Sequence, residues 1–167
     1  DSLLIEYCGE LDELNCHLGA TRTLAKACGL STEAERLALL QNEIFDLGAE
    51  ASLLSRTAEM PPVALNFEQI RRLEEWIDGY TAGLPALNSF VLPGGNSLNA
   101  ALHITRAVCR RVERRAITLH KHLPLPQTSL VYLNRLSDLL FAMARASAQS
   151  LHAPEFLWKP KNKDAPA

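Results

Sequence analysis

Apolar residues recur along almost the whole chain at intervals of three and four, and no segment alternates as a strand would. The spacing predicts five helices. The first runs from about Leu3 to Cys28. In the second, Leu37, Leu40, Ile44, Leu47, Ala51 and Leu54 repeat as an a/d seam, opened by a capping box of Thr32 with Glu35. Met60-Pro61-Pro62 closes the connection that follows. Asn66 with Gln69 caps a third helix carrying Phe67, Ile70, Leu73, Ile77 and Tyr80. A loop with Pro93, Gly94, Gly95 and Asn96 opens a fourth helix to about His120, and Pro124 and Pro126 precede a fifth from about Ser129 to Ser150. Short connections between amphipathic helices predict an all-α antiparallel five-helix bundle over residues 1–153. The Pro- and Lys-rich tail of 154–167 is expected to fray.

Three helices carry a second, polar stripe that a plain bundle does not need. In the fourth, His103, Arg106, Arg110 and Arg114 lie opposite the apolar positions Ala101, Thr105, Val108, Val112 and Leu119, with Arg111 and Arg115 flanking them. Arg rather than Lys suits planar, bidentate recognition of phosphate or carboxylate. The plain alternative is a solvated basic face with Glu113 as a local partner, and the spacing alone leaves both open. In the first helix Asp12, Asn15 and Gly19 share one side, which suits either a close contact with a polar partner or an exposed face. In the fifth, Asn134, Asp138, Phe141 and Arg145 form a stripe that fits a subunit contact or the wall of a ligand site. Gly94-Gly95 before a helix is compatible with an anion cradle, but no Lys-Ser/Thr follows, and an N-cap by Asn96 or Ser97 explains the turn more simply. Phe90 sits in an uncharged loop, where an exposed ring calls for a cover.

Composition narrows the classes. The 167 residues suit one domain, and Lys+Arg 17 against Asp+Glu 19 gives a net charge of −2, which argues against a generally basic nucleic-acid binder. The longest uncharged stretch is broken by Gly and Pro, so no transmembrane helix is expected. Cys8, Cys16, Cys28 and Cys109 lack zinc spacing and read as reduced thiols, consistent with a cytoplasmic protein. No Glu-x-x-His pair for a di-iron bundle and no Gly-x-Ser-x-Gly elbow is present.

Four motifs occur in order. They are Asp12-Glu13-Leu14-Asn15 with Leu18-Gly19; Phe90-Val91-Leu92-Pro93-Gly94-Gly95; Ala101-Leu102-His103 followed by Arg106 and the run Arg110-Arg111-Val112-Glu113-Arg114-Arg115; and Tyr132-Leu133-Asn134-Arg135-Leu136-Ser137-Asp138-Leu139-Leu140-Phe141. Together, across roughly residues 5 to 150, they resemble the ATP:cob(I)alamin adenosyltransferases of the propanediol-utilisation type.

The resemblance implies a homotrimer with active sites between subunits, and ATP with Mg²⁺ and cob(I)alamin as substrates. Cobalt(I) would attack the 5′ carbon of ATP and triphosphate would leave. Carried over by motif, Arg110, Arg111, Glu113, Arg114 and Asn134 contact ATP, Asp12 pairs with Arg106 and holds it, and Phe90 and Phe141 wall the corrin. No protein-held metal is implied. A reductase and a cobalamin-dependent acceptor enzyme are the expected partners, with neither nucleic acid nor membrane among them. The family also carries an N-terminal Gly-Asp-x-Gly-x-Thr type segment around the phosphates. It is not among these 167 residues, and a chain without it is expected to hold triphosphate poorly. Two rival readings follow, a non-catalytic bundle that stores or delivers adenosylcobalamin and a purely structural trimeric bundle.

Overall fold

The computed structural model describes residues 2–57 and 65–160. Its helices are α1 (Leu3–Ala27), α2 (Ser31–Thr57), α3 (Phe67–Thr81), α4 (Ser97–His120) and α5 (Gln127–Ser150). Two short strands join them, β1 (Val91–Leu92) and β2 (Phe156–Leu157). The Met60-Pro61-Pro62 connection lies outside the described residues.

The α1–α2 hairpin is set by a glycine. Gly29 has φ +76°, its N–H donates to Lys26 O, and Leu30 N–H reaches back to Ala25 O. This closes α1 with a left-handed residue that a side chain would strain. Ala34 N–H then bonds Leu30 O, so α2 begins at Ser31. Thr32 therefore falls inside the helix, and the Thr32–Glu35 capping box expected from the sequence does not form. The Asn66–Gln69 box does form, with Glu68 N–H donating to Asn66 Oδ1 at 2.7 Å and Asn66 N–H to Gln69 Oε1 at 3.0 Å.

α1 packs against α2 and α4, and α5 against α4 and α3. The α2 seam is buried from Leu37 through Ala51, each leucine contributing about 1.5–3 kcal/mol by leaving water. Of the apolar positions on α3, Ile70 and Leu73 are buried, whereas Phe67 at the helix start is exposed. Neighbours in the chain run antiparallel, as the pairs Asn15–Gln41 and Asn134–Glu113 show. α3 and α5 run the same way. Glu74, midway along α3, meets Arg135 in the first half of α5, and Gly83, just past α3, meets Gln149 in the last turn of α5. Both lie antiparallel to α2: along α3, Arg72 meets Glu43 and Tyr80 meets Glu33, and along α5, Ser129 meets Glu50 and Tyr132 meets Glu43.

Two carboxylates sit inside this junction. Glu43 accepts from Tyr132 Oη at 2.8 Å and from Arg72. Glu50 is 1% exposed and accepts from Ser129 Oγ at 2.5 Å, while its second oxygen has no hydrogen-bond partner among the described residues. Burial pushes the Glu50 pKa above the ordinary carboxyl value, against the lowering pull of Ser129 and of the Leu65 backbone N–H. A carboxyl that binds its proton more tightly in the folded state destabilises the fold as pH rises from the unfolded carboxyl range through the folded pKa. Glu50→Gln keeps an acceptor for Ser129 and removes the buried charge. At pH 7 and fixed protein concentration its Tm is expected to exceed the parent's by about 2–4 °C for each kcal/mol regained. The gap closes as the pH falls to the ordinary carboxyl range. Thermal scans at both pH values decide, and a gap unchanged with pH would clear Glu50 of this role.

Candidate functional site

The loop before α4 is fixed from both ends. Asn96 Oδ1 caps the helix by accepting Asn99 N–H at 2.8 Å. Asn99 in turn accepts Gly94 N–H at 3.2 Å and donates to Ala144 O on α5 at 2.8 Å. Gly94 and Gly95 have φ of 144° and 100°, a region that favours glycine. At Gly95 a Cβ would also stand 2.4 Å from the carbonyl oxygen of Pro154. The glycines thus serve a capped turn crossed by the C-terminal segment, the plainer of the two readings of this motif.

Beside this turn lies an open cleft of about 620 Å³ whose lining includes Phe90, Val91, His103, Arg106 and Phe141. The Arg106 guanidinium stands 5.2 Å from the centre of the Phe141 ring. His103 meets the same ring edge-on at 6.0 Å. Burial, followed by the charge of Arg106, holds the His103 pKa below its ordinary value, so the imidazole is neutral at neutral pH. Phe90 is 76% exposed and faces this apolar space from the loop. The cleft therefore joins a flat, uncharged wall to a single cation.

The five arginines of α4 separate into two groups. Arg111 pairs with Glu13 and lies 3.9 Å from Glu10 on α1. Arg115 pairs with Glu6 at 2.7 Å and Glu10 at 3.3 Å. These two hold α4 against α1. Arg106, Arg110 and Arg114 form no ion pair with any carboxylate among the described residues. Arg114 donates to Arg110 O at 3.0 Å, and the Arg110 side chain is exposed. Burial, followed by the neighbouring Arg110 charge, lowers the Arg106 pKa against the opposing pull of Asp138, a sign that the cations are crowded. Below them Asn134 Nδ2 donates to Glu113 Oε1 at 2.9 Å, tying α5 to α4. Preorganised, unpaired guanidiniums of this kind suit a polyanion.

The first-helix stripe divides in the same way. Asn15 is buried and exchanges bonds with Gln41 on α2, donating to its carbonyl at 3.0 Å and accepting from its Nε2 at 2.9 Å. Gly19 admits that glutamine, since a Cβ would stand 3.0 Å from Gln41 Nε2. Asp12 alone points outward. It borders a groove between α1 and α2 with Cys8, Leu11 and Phe45, the last 69% exposed. No hydrogen bond or ion pair is formed by Asp12 among the described residues, and Asp12 and Arg106 are not brought together within one chain.

Arg145 departs from its expected place on the outer stripe of α5. It is buried and donates to both Glu155 oxygens, at 2.9 and 3.3 Å, and to Pro85 O at 2.9 Å. The segment after α5 does not fray over residues 154–160. β2 pairs antiparallel with β1, Val91 opposite Leu157 and Leu92 opposite Phe156. Trp158 supplies part of the cover that Phe90 called for, with ring centres 6.0 Å apart. Sequence reading missed Glu155 and Trp158. Their one signal was two aromatics, Phe156 and Trp158, two positions apart after Pro154.

All four cysteines are free, with Cys109 buried and Cys16 exposed. Among the described residues no cluster of three His, Cys, Asp or Glu side chains is arranged to hold a metal ion, and no helix is long and apolar enough to cross a membrane.

Residues 1–147 match the cobalamin adenosyltransferase family. A corrinoid adenosyltransferase of Mycobacterium tuberculosis is 41% identical over 163 residues, 96% of this chain and 81% of that protein. One from Bacillus subtilis is 41% identical over 146 residues, covering 87% and 74%. A variant PduO-type ATP:corrinoid adenosyltransferase from Lactobacillus reuteri, solved with cobalamin and ATP, superposes with a TM-score of 0.87 at 33% identity. That match covers 95% of this chain and 84% of the other. Fold, ordered motifs and sequence agree, and the chain belongs to the cobalamin adenosyltransferase family.

Proposed function

We propose that this chain transfers the 5′-deoxyadenosyl group of ATP to cob(I)alamin, giving adenosylcobalamin and triphosphate. The observation that carries the reading is the meeting of an apolar Phe90/Phe141 cleft with the unpaired stripe Arg106, Arg110 and Arg114. One half suits a corrin face and the other a triphosphate. Relatives named for this reaction, and a solved relative holding cobalamin and ATP, support it. Cobalt(I) supplies the electron pair that forms the Co–C bond, and the C5′–O bond breaks with its pair leaving on triphosphate. Arginines fixed before the reaction stabilise that growing charge. In-line attack also needs cobalt and carbon held at one geometry, which the cleft wall and Asn134–Glu113 brace provide. The site is rich in guanidinium and poor in carboxylate clusters, so Mg²⁺ fits as an ion carried by the nucleotide's phosphates.

A wall that leaves no room for the lower axial base favours four-coordinate cobalt(II) and eases its reduction. Phe90 and Phe141 fit that role. Arg111 is engaged by Glu13, which favours a bracing role over direct ATP contact; Glu113 and Asn134 orient each other beside the arginines. The active unit is a homotrimer in which Asp12 of one subunit meets Arg106 of the next. The exposed Asp12 and Phe45 on one groove, and the unpaired Arg106 on another, support this arrangement. The protein works in the cytoplasm, with a reductase to supply cobalt(I) and an acceptor enzyme for the product.

The deciding experiment is an anaerobic spectroscopic assay of chemically reduced cob(I)alamin with MgATP. It is run on this chain and on one preceded by a Gly-Asp-x-Gly-x-Thr type segment. Adenosylcobalamin and triphosphate are expected in equal amounts, faster with the added segment. Corrinoid binding without product in either form would favour the carrier reading.

A further inference from the structure

The chain leaving α5 returns to the cleft from behind. It reverses at His152, whose φ of 51° lies in the left-handed region, and passes over Gly95, where only a residue without a side chain admits the Pro154 carbonyl. Arg145 then grips Glu155 through two nitrogens and binds Pro85 O with one of them. One buried guanidinium thus ties α5, the returning segment and the start of the Phe90 loop. Past this latch, β2 lies along β1. Trp158 N–H donates to Phe90 O at 2.8 Å, and Ser89 Oγ donates to Trp158 O at 2.6 Å. The Trp158 ring meets the Phe90 ring at 61°.

Phe90 is mostly exposed, so its open side holds it to nothing. Its place is set from behind, by a backbone ladder and one aromatic edge. A two-stranded ladder two residues long is marginal in water by itself. The charge-assisted latch and the ring contact are what fix it. Trp158 stands outside the cleft lining and reaches the corrin space only through Phe90.

We propose that residues 155–158 form a strap that positions the Phe90 wall, with Arg145–Glu155 as its latch and Trp158 as a positioning residue for the corrin half of the reaction. The inference rests on the adenosyl-transfer reading above. Without the strap the wall shifts, the lower base can return, and starting from cobalt(II) becomes harder. The ATP half is untouched.

The test uses the assembled protein with Trp158→Ala, Trp158→Phe, Glu155→Gln and Phe90→Ala. Electron paramagnetic resonance of cob(II)alamin with MgATP reads the four-coordinate fraction. A second assay measures turnover of prereduced cob(I)alamin and KM for ATP. Phe90→Ala is expected to lose most of the four-coordinate signal. Trp158→Ala should lower it roughly fivefold, the scale of one aromatic contact, and Trp158→Phe should restore it to within about twofold. Glu155→Gln should fall between Trp158→Ala and the parent. Turnover of cob(I)alamin and KM for ATP should stay within about twofold of the parent for Trp158→Ala, well short of the tenfold that a change of 1.4 kcal/mol brings. An unchanged signal in Trp158→Ala overturns the strap, as does an equal loss from both cobalt states. A parent that makes no adenosylcobalamin from cob(I)alamin overturns the functional reading instead, and the strap falls with it.

Discussion

Arg110→Ala is expected to lower turnover of cob(I)alamin with MgATP by roughly 10²–10³-fold, the usual cost of removing one preorganised donor from a developing anion. The structure gives this variant little other reason to fail. Arg110 is exposed and forms no ion pair among the described residues, and the bond it receives from Arg114 ends on its backbone oxygen. The core beneath α4, with Val108, Cys109 and Val112, does not depend on its side chain. Oligomer mass and Tm should therefore match the parent. Arg110→Lys keeps the charge but loses the planar fork, and its turnover should lie between the two. Single-turnover absorbance measures the rate, and light scattering the assembly. Parent-like turnover in Arg110→Ala would remove this residue from the reaction.

Asp12→Ala and Arg106→Ala chains, each nearly inactive alone, are expected to recover activity when unfolded and refolded together. Within one chain Asp12 opens onto the α1–α2 groove and Arg106 onto the Phe90 cleft. If the pair forms between subunits of a closed ring, random assortment makes about one interface in four intact, with Asp12 from one variant and Arg106 from the other. Recovery should approach about a quarter of parent turnover. A pair within one chain would give none, since every subunit then carries one broken partner. No recovery in mixtures shown by mass to be hybrid trimers would reject the pairing between subunits.

How much the sequence foretold depends on how local each signal is. The Asn66–Gln69 box and the α2 seam are written within one or two helical turns and formed as expected. The Thr32–Glu35 box has the same spacing, but after the tight turn at Gly29 α2 begins at Ser31, two residues before an N-cap at Thr32 would start it. The arginine run showed that α4 carries cations. Which of them are paired depends on Glu6, Glu10 and Glu13 of α1, about a hundred residues away, whose alignment with α4 selects Arg111 and Arg115. By spacing alone Arg145 falls on a stripe fit for a subunit contact or a ligand wall, because its partner, Glu155, lies across a chain reversal. β1 and β2 have two residues each, too few for alternation to appear. That Asp12 and Arg106 open onto different grooves follows from packing that no single helix encodes.

The distribution of thiols offers an optical handle on assembly. Cys109 is enclosed, and its Sγ donates to Leu133 O at 3.4 Å. Burial pushes its pKa far up, which leaves it unreactive toward alkylating dyes. Cys16 is exposed and lies one helical turn beyond Asp12, on the same side of α1. A maleimide fluorophore would label Cys16 first. On the assembly drawn above, it would sit where neighbouring subunits approach, and its emission would report their association without any engineered residue.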